Sequence, residues 1–266
     1  QGKRFIEPFA GSGSVFLNVT LDPALTYGAY AVGDSNPDLM DLYELVKKDG
    51  QSFLERCRIL FHGDSAAIPS GNDRPRYEHL RDVFNAKKID PALDAVGIGR
   101  SEMFVYLNRH CFNGLCRYNS KGKFNVPFGR YKGPSVPHDD ISLFHKQIQS
   151  VTFTAGDYTK MLATLNPGDG DVVYLDPPYV PLSATASFTD YSNDGGFPMA
   201  KQEELAKLAE KYSAQGAVVL VSNHDTTVSR DLYKNASSIH AFEVTRFISA
   251  AGKSRNKAPE LIAVYK

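Results

Sequence analysis

The chain has no tryptophan, only three cysteines among 266 residues, and no net charge, its 30 Lys and Arg balancing 30 Asp and Glu. Cys57, Cys111 and Cys116 are an odd set that lacks the spacing of a zinc site or a disulfide framework. No metal role is expected, even with His110 beside Cys111, and a reduced, cytoplasmic protein is the simpler expectation. No apolar run approaches the roughly 18 residues of a membrane span. No signal peptide is visible either, since Gln1-Gly2-Lys3-Arg4 leads straight into a strand-like run. There is no initiator Met, so an amino-terminal piece is expected before Gln1. A composition of 42% hydrophobic and 11% aromatic residues excludes disorder and allows a sizeable core.

Neutrality by itself argues against a nucleic-acid partner, but the distribution of charge reverses that reading. Between Arg100 and Lys132 there are seven Lys and Arg against one acid, Glu102. From Arg246 to Lys257 there are four more and no acid. Two basic stretches on a neutral chain mark a surface that meets an anion.

Short apolar runs rich in β-branched or aromatic residues fall at 4–9, 29–33, 151–155, 172–175, 217–222, 239–247 and 260–265. Helical patterns fill most of the gaps. Asn36 is a natural N-cap for a helix from Pro37 to Lys48, and 199–215 is plainly amphipathic. Strands alternating with helices predict a parallel sheet covered on both faces. Residues 50–148 break that rhythm: helices at 51–61, 75–86 and 91–109 precede a polar, Gly- and Asn-rich loop. The expected organisation is a catalytic domain from 1–49 and 149–266, with 50–148 inserted as a mostly helical second domain.

The first strand ends in E-P-F-A-G-S-G-S, residues 7–14. Gly11 and Gly13 permit a tight turn where backbone can approach a ligand. The dinucleotide fingerprint wants a third Gly where Phe16 stands, which matters less for a nucleoside without a pyrophosphate. Alone, this turn is equally a plain strand-to-helix connection. Asp34, at the end of the second strand, stands where an acid can accept both ribose hydroxyls, and the pair favours an adenosine-type cofactor.

The run V-V-Y-L-D-P-P-Y, residues 172–179, ends a strand on Asp176, in the crevice where α/β proteins bind ligands. Pro177 and Pro178 stiffen the turn and leave the preceding carbonyls free to accept. Tyr179 offers a flat face for a base. Together they form a planar slot with two acceptors at its edge, suited to an exocyclic amine. Holding an adenine N6 with its lone pair aimed at an electrophile is alignment and electrostatics.

These residues resemble the Dam-type DNA adenine-N6 methyltransferases. E-P-F-A-G-S-G-S-V-F-L-N is similar to their cofactor motif, D-P-P-Y-V-P-L-S-A-T-A to their catalytic motif, and residues 107–132 to their target-recognition segment. S-N-H-D-T at 222–226 and the ending E-L-I-A-V-Y-K also fit. The resemblance implies a seven-stranded, Rossmann-like α/β methyltransferase sheet with an inserted helical DNA-recognition domain. It implies S-adenosyl-L-methionine as cofactor and GATC in double-stranded DNA as substrate, with no obligate protein partner and no membrane. By motif, Glu7, Pro8, Phe9, Gly11, Ser12, Gly13 and Ser14 would line the cofactor turn, with Asp34 on the ribose. Asp157 and Tyr158 would lie near the cofactor's adenine. Asp176, Pro177, Pro178 and Tyr179 would hold the flipped base, Asp176 also bordering the cofactor. Arg109, Phe112, Asn113, Leu115, Arg117, Asn119 and Pro127 would face DNA. Lys121, Arg130, Lys132, Ser183, Lys253, Arg255 and Lys257 would join them, the cations on phosphates.

One departure stands out. The family carries a K-W-A-G-G-K type segment before its first strand; no such run is present, and it is expected in the piece preceding Gln1. Methylation of cytosine N4 or of an RNA amine uses a similar slot and stays open, as does a DNA-binding homologue without catalysis. A nicotinamide oxidoreductase is disfavoured by Phe16 and by D-P-P-Y.

Overall fold

The computed structural model describes residues 2–62, 74–87, 90–131, 133–182, 197–245 and 257–266. Its strands are β1 (Gly2–Glu7), β2 (Tyr27–Asp34), β3 (Val151–Ala155), β4 (Asp171–Leu175), β5 (Val218–His224), β6 (Ser238–Thr245) and β7 (Lys257–Tyr265). They form one seven-stranded sheet in the order β3-β2-β1-β4-β5-β7-β6. The described helices are α1 (Ser14–Leu21), α2 (Pro37–His62), α3 (Arg74–Asn85), α4 (Pro91–Asp94), α5 (Arg100–His110), α6 (His138–Gln147), α7 (Tyr158–Leu165), α8 (Met199–Ala214) and α9 (Thr227–Leu232). None is long and apolar enough to cross a membrane.

The alternation of strands and helices predicts parallel pairing throughout, and β1 to β5 pair that way. The last two strands do not: β7 lies between β5 and β6, antiparallel to both. Only residues 246–256 separate β6 from β7. A parallel return needs a crossover of a dozen or more residues, usually a helix, whereas antiparallel neighbours need only a turn.

Two compact units divide the chain, Gln1–Ser35 with Ser150–Lys266, and Asn36–Gln149. The first boundary therefore precedes the one expected after residue 49. The reason is α2, which continues through a kink at Asp49 (φ −150°, ψ 59°). Its buried residues lie on both sides of that kink, and it packs against α5 and α6. The helix expected over 91–109 is also two pieces, because Gly97 turns the chain at φ +73° between α4 and α5. The second unit has its own core, with Leu60, Tyr77, Leu80, Phe84, Phe104 and Leu107 closely packed. Its His110 is a core residue: the ring stacks on Tyr106, centroids 3.8 Å apart, and burial holds its pKa down to about 4.

In the first unit, β4 alternates buried and half-buried residues, with Val173 and Leu175 joining Leu205, Ala209 and Val219 in the core. An ion pair fixes β1 beside β4. Arg4 donates Nε to Asp171 Oδ1 at 2.9 Å and Nη2 to Oδ2 at 2.5 Å, and Asp171 is 3% exposed. Asp171 also accepts from Gly168 N at 3.0 Å. Burial is the largest single influence and opposes its ionisation, but the Arg4 hydrogen bonds, the Gly168 N–H and the charges of Arg4 and Lys3 together outweigh it and hold its pKa below the usual aspartate value. A lowered carboxylate pKa contributes stability that is present above the unfolded value and lost as pH falls through the folded one. Asp171→Ala is therefore expected to cost about 2–3 kcal/mol at pH 7, discounted for the partly exposed arginine, and less towards pH 3. Urea unfolding across pH checks both the size and the sign.

Candidate active site

The order β3-β2-β1-β4-β5 reverses direction between β1 and β4, so the loops leaving these two strands part. Ligands of open α/β sheets bind in that crevice, outside the carboxyl ends of the strands. A cleft of about 980 Å³ lies there, lined among others by Glu7 to Ser12, Ser14, Asp34, Asp157, Tyr158, Asp176 to Tyr179, Phe197, Lys201 and His224. Residues named from the first-strand turn, Asp34, A-G-D-Y and D-P-P-Y thus meet in one place. All belong to the first unit.

The glycine turn takes the conformation its sequence predicts. Gly11 and Gly13 have φ of +47° and +77°, a region that side chains rarely adopt. A Cβ on Gly11 would meet nothing within 4 Å, so the backbone there faces open space. Asp34 has a role that the sequence does not reveal: its Oδ2 accepts from Gly11 N at 2.9 Å. The carboxylate ties the turn after β1 to the end of β2, and a carboxylate has sites for further donors. Asp157 likewise caps α7, accepting from Thr159 N at 2.8 Å.

Beside the turn stands an aromatic wall. Phe9 and Tyr158 have centroids 4.9 Å apart, and Phe197 lies 5.9 Å from Phe9 and 5.7 Å from Tyr158. The Tyr158 hydroxyl donates to Glu204 Oε2 at 3.1 Å, to which Lys201 Nζ also donates at 2.8 Å. Phe197, Lys201 and Glu204 went unnoticed in the sequence because no short motif contains them. Under the wall is Glu7, 1% exposed, whose Oε2 has no hydrogen-bond partner among the described residues. Burial pushes its pKa up to about 8; the Phe16 N–H opposes this and the charge of Asp176 adds to it.

At the end of β4, Asp176 Oδ1 accepts from Ser222 Oγ at 2.6 Å. The Tyr179 ring meets His224 edge-on at 4.9 Å, and burial followed by the charge of Asp176 raises its phenol pKa. The turn is held from below. Val180 N donates to Asn223 Oδ1 at 2.8 Å, and His224 Nδ1 lies 2.6 Å from Val180 O. Gln202 Nε2 donates to Pro178 O at 2.7 Å. The carbonyls expected to be free are those preceding the two prolines, of Asp176 and Pro177; the engaged one is that of Pro178, which follows them. The signal was a glutamine on the buried face of an amphipathic helix, which rarely stays inside without a partner.

The other named residues lie in the second unit or outside the described structure, except Lys257, at the start of β7 in the first unit. The loop 111–131 carries exposed Phe112, Asn113, Arg117, Lys121, Pro127 and Arg130, while Leu115 is half-buried; Arg109 is exposed in the last turn of α5. Asn85 anchors the loop by pairing with Phe124 N and O at 2.8 and 3.0 Å, and Tyr77 donates to Val126 O at 2.8 Å. Asn119 Oδ1 accepts from Lys121 N and Lys123 N, shaping the turn that presents both lysines. Arg117 Nε donates to Asn125 Oδ1 at 2.9 Å. Lys257 pairs with Glu243 at 2.9 Å, which raises its pKa. Lys132, Ser183, Lys253 and Arg255 lie outside the described residues.

A sheet with this crevice, its glycine turn and a strand-end D-P-P-Y define a group-transfer site, and comparison with known proteins agrees. The family of D12 class N6 adenine-specific DNA methyltransferases matches residues 1–248, and the chain belongs to it. It is an enzyme of that class, placing methyl groups on adenine in DNA. Over all 266 residues it is 41% identical to the DNA adenine methylase of Escherichia coli K12, covering 87% of that protein. It is 42% identical to that of Serratia marcescens and 40% to that of Vibrio cholerae serotype O1, covering 90% and 88% of them.

Glu7 supplies a pH test of the site. Its folded pKa of about 8 lies above the ordinary 4.5, so the folded protein keeps a proton that the unfolded chain gives up. Stability therefore falls as pH rises through that window. Glu7→Gln should match the wild type below about pH 4.5 and exceed it at pH 9 by on the order of a few kcal/mol. Urea unfolding of both proteins at pH 5, 7 and 9 checks this; a difference independent of pH would refute it.

Proposed function

We propose that the cleft binds S-adenosylmethionine and that the enzyme methylates adenine N6 in GATC of double-stranded DNA, with the adenine extruded into the D-P-P-Y slot. The observation that carries the reading is Asp176, held at the end of β4 beside the glycine turn in one cleft. The cleft fits this donor. Its volume suits a ligand of that size, aromatic rings flank it, and the acids Asp34 and Asp176 on its lining suit a cation. S-adenosylmethionine supplies an electrophilic methyl on a sulfonium. Asp34, which keeps Gly11 in place, would also hold the ribose, and Phe9, Tyr158 and Phe197 would flank the adenine of the cofactor.

Asp176 accepts a hydrogen bond from the target amine and turns its lone pair towards the methyl group. With the donor bound, a bond from its methyl carbon to N6 would replace the one to sulfur, and the amine proton would pass to solvent as or after the methyl arrives. Adenine N6 is a weak nucleophile, so orientation is the larger part of this contribution. The names of the bacterial relatives support DNA in the cytoplasm as the setting.

Asp176→Ala should abolish turnover while leaving affinity for a GATC duplex within a few-fold. Single-turnover kinetics with titrated duplex measures both, and a wild-type rate would end the assignment.

In the exposed loop, Arg117 reads sequence and Lys121 holds phosphate. The fork of Arg117 suits O6 and N7 of a guanine once it leaves Asn125. Arg117→Ala should cost about 1–3 kcal/mol on GATC and blunt discrimination at the guanine. Lys121→Ala should weaken all duplexes alike and lower the salt slope by about one. Methylation of singly substituted GATC duplexes at two salt concentrations separates these; equal slowing of every duplex by Arg117→Ala would make it a phosphate contact.

A further inference from the structure

Asp176 offers two oxygens and the turn offers two proline carbonyls, whereas methyl transfer to one amine needs a single arrangement of acceptors. Three buried side chains hold that arrangement, and their hydrogen bonds run in one direction. The chain begins at backbone donors, whose polarity is fixed. Val180 N and His224 N both point at one atom of the Asn223 side chain, at 2.8 and 2.9 Å, so that atom is the oxygen. Asn223, 0% exposed, must then present its Nδ2 on the other side, where it donates to Tyr233 Oη at 2.9 Å and Gln202 Oε1 at 3.2 Å. All four hydrogen-bonding positions of that amide are used. Gln202 in turn has its oxygen facing Asn223, which leaves Nε2 to donate to Pro178 O at 2.7 Å. Neither amide can flip without setting donor against donor.

Ser222 acts on the neighbouring acceptor. It lies on β5, 4% exposed, and its hydroxyl is 2.6 Å from Asp176 Oδ1 and 3.2 Å from Leu175 O. The shorter, charge-assisted bond is the stronger of the two.

Resting on the reading of Asp176 given above, we propose that Ser222 and the Asn223–Gln202 pair are positioning residues that hold the Asp176 carboxylate and the proline turn in place for the target amine. Ser222 donates to Oδ1 of Asp176 and Gln202 donates to the Pro178 carbonyl, so the carboxylate and the proline turn are each held by a buried donor. None of the three touches the reacting atoms. They act on the rate by fixing the angle of Asp176 and the pitch of the proline turn. The β5 run Ser222-Asn223-His224 and Gln202 of α8 thus form the floor of the slot.

Two variants test this with readouts that a purely structural role would not move. Ser222→Ala should lower single-turnover methyl transfer about 10–100-fold, the scale of a small misplacement. Its Kd for S-adenosylmethionine and for GATC duplex should stay within about two-fold of wild type, and Ser222→Thr, which keeps the hydroxyl, should restore most of the rate. Gln202→Glu is isosteric, and its buried acid can donate to Pro178 O only while protonated. Its rate should therefore rise as pH falls from 9 to 6, relative to wild type at each pH. A wild-type rate for Ser222→Ala overturns the proposal, as does an equal loss in Ser222→Thr, or a Gln202→Glu deficit that is constant with pH. Wild-type enzyme that binds no S-adenosylmethionine or leaves adenine unmethylated would instead remove the underlying reading, and this proposal with it.

Discussion

Where β1 pairs with β4, the chain departs from the two strands in opposite directions, β2 and β3 being laid down on one side and β5 on the other. The loops after β1 and β4 separate, and a crevice opens at the carboxyl ends of the strands. Everything chemical in the first unit follows from that single reversal. It places the glycine turn next to D-P-P-Y although they are far apart in sequence. It also puts Glu7 and Asp176 at the ends of adjacent strands, near enough that the charge of one raises the pKa of the other. The Arg4–Asp171 pair joins β1 and β4 near their other ends and so holds the register on which the crevice depends.

Burial and charge compete in this crevice, and at Glu7 burial prevails. Glu7 is nearly inaccessible with one oxygen unpartnered, and desolvation keeps its proton on at neutral pH. Asp176 is half-buried and has the Ser222 hydroxyl against it. A leading strand-end acid in the motif E-P-F-A-G-S-G is then an electrostatic element of the site as well as a step in the turn.

Much of this was legible in the sequence because the relevant signals are local. All seven strands were marked by short apolar runs. Gly11 and Gly13 announced a turn with positive φ, and D-P-P-Y after an apolar run announced a stiff strand end. Features that depend on partners distant in sequence were not legible. Gln202 looks like any polar residue of an amphipathic helix until β5 brings Asn223 against it. Asp34 reads as a ribose ligand, and only the approach of β2 to β1 shows that it also fastens Gly11. Helix–strand alternation suggested parallel pairing for β6 and β7, which the short connection between them forbids. The first unit boundary was expected after residue 49 because the strand–helix rhythm breaks beyond it, whereas packing on both sides of Asp49 carries α2 through that point.

The central claim is that one crevice, with Asp176 at its edge, brings a sulfonium methyl to adenine N6. Incubating unmethylated plasmid with the protein and methyl-labelled S-adenosylmethionine, then digesting to nucleosides for mass spectrometry, tests it most directly. The account predicts label in N6-methyladenine, lost when the GATC sequences of the plasmid are removed. Label in N4-methylcytosine, or unlabelled DNA from protein that binds the donor, would contradict it.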